Sequence, residues 1–225
     1  METGDEAPPR KAGAYARKRA RTLDLRVLVV VASLSVIAAI AAIAFGTRSY
    51  PFLLFEVVWI GGMLLANRII SPQSKRWEQG AAGEEKVGEI IEEMARQGWL
   101  PIHDIDLGRG NVDHVLVGPP GLFTIETKSH RGKIAVSRIP RTMLSQAYAQ
   151  SKRIEAIIDL PVAPLLVFSD AYLLGKVPAR RRGVLILPAR MLSGRLGRYA
   201  PLYSPQEVSD LHHRLHSALR AAGAC

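Results

Sequence analysis

The sequence predicts an α/β domain carried behind a pair of transmembrane helices. Three observations lead there. Residues 27–47 contain no Asp, Glu, Lys or Arg, whereas residues 71–225 hold 36 charged side chains. From residue 80 onward, helical periodicity alternates with short β-branched runs, in the order helix, two-strand hairpin, helix, strand, strand, helix, which fits one α/β domain. The single cysteine, Cys225, excludes an internal disulfide framework and a Cys-based zinc site, so the domain stands on an ordinary core. At 225 residues, 48% hydrophobic and 22% charged, the chain is neither disordered nor collagen-like.

Residues 1–26 carry seven Lys/Arg against four Asp/Glu and are Arg/Ala-rich; they read as a disordered cytoplasmic tail. Residues 27–46, VLVVVASLSVIAAIAAIAFG, match the roughly 30 Å hydrocarbon core at about 1.5 Å rise per residue. A cleaved signal peptide is the rival reading, but its apolar core runs to only about 7–15 residues. Residues 51–67 form a weaker second span containing Glu56, for which a buried or interfacial helix is the alternative. Only Thr47, Arg48, Ser49 and Tyr50 join the two runs, so residues 27–70 read as a tight hairpin. Arg10, Lys11, Arg17, Lys18, Arg19, Arg21 and Arg26 precede it, and Arg68, Lys75 and Arg76 follow it, which puts both termini in the cytoplasm beneath the cell membrane. Residues 71–79, with Pro72, read as a juxtamembrane linker.

The domain proper spans residues 80–220. Its first helix, residues 80–97, sets Val87, Ile90, Ile91 and Met94 on one face, with Gly98 closing it. Glu85, Glu89, Glu92 and Glu93 fall on the wet side, whereas Glu84 sits beside the apolar stripe, where pairing with the dipole of a helix start is the simplest reading. Residues 111–117 and 122–128 flank the turn Gly118-Pro119-Pro120-Gly121 and form the hairpin. Pairing Val117 with Leu122 sets Val115 against Thr124 and Asp113 against Glu126, with Lys128 on the same face.

Opposed carboxylates repel unless a positive charge lies between them. Two readings fit. A divalent cation such as Mg²⁺ binds through one or two carboxylates and leaves positions open for chemistry, with Lys128 orienting a water or neutralising phosphate charge. Alternatively the face is a polar surface with a Lys128 salt bridge. The six histidines show no zinc-enzyme spacing, and alternation turns His114 away from Asp113.

Gly80, Gly83, Glu84 and Val87, then the run Val112-Asp113-His114-Val115 with Gly118-Pro119 and Gly121, then residues 123–128 (FTIETK) and Gly132, together resemble the nuclease-related domain (NERD) of the PD-(D/E)xK nuclease superfamily. The resemblance covers roughly residues 80–220 and implies a restriction-endonuclease-like α/β fold, a mixed sheet flanked by helices. Carried onto this chain, it implies site residues Glu84, Asp113, Glu126, Lys128 and Gln146. It further implies Mg²⁺ or Mn²⁺ held by Asp113, Glu126 and the Thr127 carbonyl, with Glu84 as a direct or water-mediated ligand. Gln146 lies on a helix whose core stripe is Leu144, Ala147, Ser151, Ile154 and Ile158; a solvated glutamine is the other reading. The chain departs from the family pattern between Gly132 and Gln146, where it is short and lacks a tryptophan.

Residues 163–168 and 183–187 read as buried strands, and Ser204 to Glu207 as a capping box opening the last helix. Residues 109–225 carry seventeen Lys/Arg against seven Asp/Glu, a balance suited to nucleic acid, DNA first, or to an anionic bilayer. Lys176, Arg180, Arg181 and Arg182 form a basic loop able to track a phosphate backbone, with a solvated loop or a membrane-surface contact as the alternatives. The expectation is a membrane-anchored, metal-dependent nuclease; the alternatives are an inactive tethered nucleic-acid-binding scaffold and a protein whose basic domain rests on anionic lipid.

Overall fold

The computed structural model describes residues 12–45, 50–108 and 110–224. Arg10, Lys11 and three residues of the expected hairpin link, Thr47, Arg48 and Ser49, lie outside them. The chain divides into two compact units, one formed by Tyr15–Gln79 and the other taking in Gly80–Cys225 with the segment just before Tyr15.

In the first unit, α1 (Ala14–Phe45) begins well ahead of the apolar run, so residues 14–26 are helical where a disordered tail was expected. Charged residues at the start of this helix are no obstacle, because Lys and Arg are good helix formers. α2 (Tyr50–Ala95) runs from this unit into the next without a break. The expected linker over residues 71–79 is therefore helical. Pro72 forfeits one backbone bond, yet the long helical stretches on both sides carry the helix through it. Within α1, Ala16–Ala44 is long and apolar enough to cross a membrane; the second apolar stretch, Leu54–Leu65, is shorter.

In the second unit α2 is followed by β1 (Leu100–Asp106), β2 (Asn111–Gly118), β3 (Gly121–Lys128), β4 (Lys133–Ala135), α3 (Arg141–Ile158), β5 (Val162–Phe168), β6 (Tyr172–Leu174), β7 (Ala179–Arg181), β8 (Val184–Pro188), α4 (Leu192–Leu196) and α5 (Pro205–Ala221). Six strands form a mixed sheet in the order β1-β2-β3-β5-β8-β7, and β4 pairs with β6 apart from it. The pattern of one hairpin and two later strands thus missed β1 at one edge, β7 at the other, and the small β4–β6 pair. The short segment after Gly132 adds its strand to that pair, not to the main sheet. The basic loop expected at residues 180–182 is partly the strand β7, paired with β8.

Helices cover both faces of the sheet. Val87, Ile91 and Met94 of α2 pack with Leu116, Ile125, Leu165 and Val167 on one side. Leu144 and Ala147 of α3 pack with Leu166, Phe168 and Ile186 on the other, where Ile154 and Ile158 also meet Val115, Leu122 and the α5 residues Leu211 and Leu215. The capping box predicted at Ser204 forms: its side chain accepts from Glu207 N, and the Glu207 carboxylate accepts from Ser204 N. Gly83 sets how closely α2 approaches the sheet, because a Cβ there would lie 2.6 Å from Ser129 Cβ and 2.7 Å from Ser169 Oγ. That contact brings α2, and with it Glu84, against the carboxyl ends of β3 and β5.

Candidate active site

The hairpin register follows the predicted one. Val117 pairs with Leu122 and Val115 with Thr124, and the ladder continues to His114 opposite Ile125. One step further, at Asp113, the carboxylate takes over from the backbone: Thr127 N donates to Asp113 Oδ2 at 2.7 Å. Neighbouring β1 is irregular at the same level, where Asp104 has φ 54° between the pairs His103–His114 and Ile105–Val112. Asn111 donates to the Asp104 carboxylate across this irregularity.

Glu126 is 3% exposed, so its charge must be met inside the protein. Lys128 Nζ donates to its Oε1 at 2.5 Å, and Gln150 Nε2 donates to its Oε2 at 2.5 Å. Lys128 Nζ also donates to Gln146 Oε1 at 3.1 Å. The exposed Gln146 therefore reaches the hairpin despite the short segment before it, and the salt bridge of Lys128 to Glu126 forms, though in a largely buried setting and not on a polar surface.

Asp113 shows the electrostatic balance of the site. Exclusion of water, then the charges of Glu126 and Glu84, push its carboxyl well above the usual carboxylate range; the Thr127 N–H and the Lys128 ammonium pull the other way only in part. The charge of Glu84 thus acts on Asp113. Glu84 also lies deep within α2, far from any helix start, so partnership with a helix dipole does not account for it. On the opposite face His114 is fully buried and contacts His103, Nδ1 to Nδ1 at 2.8 Å, while His103 Nε2 meets Glu92 Oε1 at 2.9 Å. Burial and His103 hold His114 well below the usual histidine range, consistent with the structural role expected of it.

Gln150 was missed. It is 3% exposed, donates also to Asn111 O at 2.7 Å, and ties α3 to Glu126 and to the start of β2. The available signal was a second glutamine four residues after Gln146, one helical turn along the same side. Gln150→Leu leaves Glu126 Oε2 and Asn111 O without this donor, and the loss of a charged hydrogen bond in a buried setting predicts destabilisation of about 1.5–3 kcal/mol. Urea unfolding of the solubilised chain measures it; an unchanged midpoint contradicts the anchoring role.

The predicted basic residues are elsewhere. Arg180 and Arg181 lie on β7, separated from β3 by β5 and β8. Arg181 donates to the carbonyls of Val136 at 2.6 Å and Ile139 at 3.2 Å, a structural engagement of the guanidinium. Arg180 donates to Gly183 O at 3.3 Å, and Lys176 and Arg182 are exposed.

Among the described residues no three His, Cys, Asp or Glu side chains converge as a ready metal cage. The donor set nevertheless fits a cation that prefers oxygen and keeps its waters. Three carboxylates act on this locality against one ammonium, and the buried Gln150 Oε1 and Thr127 Oγ1 have no hydrogen-bond partner among the described residues.

Residues 79–169 match the family model of the nuclease-related domain (NERD). That segment includes Glu84, Asp113, Glu126, Thr127, Lys128, Gln146 and Gln150, and it ends short of β6. Over 190 residues the chain is 23% identical to an uncharacterized protein of Bacillus anthracis, a match covering 75% of this chain and 88% of that one. No solved structure matches the chain.

Proposed function

We propose that the unit from Gly80 onward is a divalent-metal-dependent nuclease, hydrolysing phosphodiester bonds of nucleic acid, DNA in the first place, at the cytoplasmic face of the cell membrane. The observation that carries this reading is the surplus of carboxylate charge around Asp113 and Glu126, inside a segment that matches a nuclease-related domain. Asp113, Glu126 and the Thr127 carbonyl would hold Mg²⁺ or Mn²⁺, with Glu84 direct or through water. Such an ion polarises a phosphoryl oxygen and lowers the pKa of a bound water.

The chain's own residues supply the positioning. Lys128, held between Glu126 and Gln146, presents its ammonium to orient the attacking water and to neutralise charge gathering on the phosphate. Gln146 fixes that ammonium from the exposed side, and Gln150 holds Glu126 from the buried side. The test uses the full chain in detergent with linear DNA, circular DNA and RNA. Cleavage is expected with Mg²⁺ or Mn²⁺ and is abolished by chelation. Binding without cleavage under either ion contradicts the enzyme and favours the tethered scaffold; cleavage undiminished by chelation contradicts the metal.

The membrane reading rests on exposed apolar side chains. Leu28, Ile40 and Ile43 of α1 and Leu54, Val57, Val58, Leu64 and Leu65 of α2 are all exposed, a surface that water disfavours by about 25 cal/mol per Å² and a bilayer does not. A hairpin with both ends on the cytoplasmic side rests on the Lys/Arg residues that flank the two apolar runs, against the single Arg48 between them. A reporter fused after Cys225 is expected to read cytoplasmic; an extracytoplasmic signal contradicts this topology and the access to nucleic acid.

A further inference from the structure

The parallel strands β3, β5 and β8 end in step, with Lys128 paired to Phe168 and Phe168 to Pro188. In open α/β sheets ligands bind outside such carboxyl ends, and here the segment after each strand contributes a chemically distinctive residue. After β3 come Arg131, exposed, and Lys133. After β5 comes Tyr172, 56% exposed, whose N–H donates to Gly132 O at 2.8 Å. After β8 comes Arg190, whose guanidinium lies 5.8 Å from the centre of the Tyr172 ring. Lys133 is the register partner of Tyr172 in the β4–β6 pair. The nearby acid, Asp170, is bound by Lys86 at 2.7 Å, so the surface around the ring keeps its positive charge.

A lone exposed tyrosine needs no explanation. This one is braced by an arginine, flanked by a lysine, and rooted four residues beyond the strand end that is in register with Lys128. An aromatic face among cations is the arrangement that takes a nucleobase on the ring and the adjoining phosphates on the basic groups. Bases inside a duplex have no free face to offer. We infer that Tyr172, backed by Arg190, is a stacking platform for an unpaired base beside the carboxylate site, so that the substrate is a nucleic acid with a single-stranded segment. The inference rests on the nuclease reading for its ligand class, but its two central residues, Tyr172 and Arg190, lie outside the segment that matches the family.

The experiment measures binding of the full chain in detergent, with EDTA present so that no metal-dependent turnover intervenes. The probes are a fluorescein-labelled single strand and the same strand annealed to its complement. Tyr172→Ala is expected to weaken single-strand binding by about tenfold, the scale of one lost base stack. Duplex affinity should be unchanged, and Tyr172→Phe should bind like wild type, since the ring and not the hydroxyl is used. Arg190→Ala should flatten the single-strand salt dependence by about 0.7 in log-log slope, one phosphate contact. Equal losses on both probes, a loss in Tyr172→Phe as large as in Tyr172→Ala, or no loss at all would overturn the inference while leaving the nuclease reading standing. Failure of the wild-type chain to bind either probe would sink both. Binding to anionic vesicles that Tyr172→Ala abolishes, with nucleic-acid binding untouched, would assign the patch to lipid and overturn the inference.

Discussion

Replacing Lys128 by methionine is expected to lower the cleavage rate by roughly 10²–10⁴-fold while leaving nucleic-acid affinity little changed. Methionine keeps most of the aliphatic stem and removes only the ammonium, which lies 2.5 Å from Glu126 Oε1 and 3.1 Å from Gln146 Oε1. The effect should fall on kcat, because the ammonium acts where charge develops and not where the polymer is held. A stability cost accompanies it. Glu126 loses one of its two donors, and a hydrogen bond to a charged group is worth about 1.5–3 kcal/mol, so rates are compared well below the melting temperature of the variant. Wild-type kcat in Lys128→Met would remove Lys128 from the chemistry and leave it as the salt-bridge partner of a buried acid.

Glu126→Gln is expected to abolish cleavage and yet unfold within about 1.5 kcal/mol of wild type. The neutral amide retains one acceptor for Lys128. Its NH₂ group faces Gln150, whose Oε1 has no partner among the described residues; rotation of the Gln150 amide turns a donor-donor clash into a hydrogen bond, at the expense of the bond to Asn111 O. Relief of the repulsion that raises the Asp113 carboxyl offsets part of that loss. Urea unfolding separates the two effects. A large destabilisation would mean that Glu126 serves the fold first.

Some of this was open to reading from residue pattern and some was not, for identifiable physical reasons. The hairpin was legible because four turn residues and strict alternation admit one register once Val117 and Leu122 meet. The α3 stripe and the Ser204 capping box are equally local signals. β1 was not legible: its residues, LPIHDID, carry a proline and two acids, and what makes them a strand is pairing with β2, an edge position that tolerates Pro101. Pro72 pointed to a linker because a single proline reads as a boundary, whereas the long helical segments beside it override that signal. Around the carboxylates, Asp113, Glu126 and Lys128 followed from alternation. Gln150 did not, because a glutamine on the flank of an apolar stripe reads as solvated until the buried Glu126 behind it is seen. Arg181 looked like a phosphate contact by charge alone; its engagement with the carbonyls of Val136 and Ile139 depends on a turn 42–45 residues away in the chain.

The central claim is that the surplus of carboxylate charge on this hairpin exists to hold a divalent cation. Calorimetric titration of Mn²⁺ into the solubilised full-length chain, beside Glu126→Gln under the same conditions, tests it most directly. The account predicts saturable binding by the wild type and its loss in the variant, with both chains folded. Equal binding by the two, or none by either, would contradict it, whatever the family match.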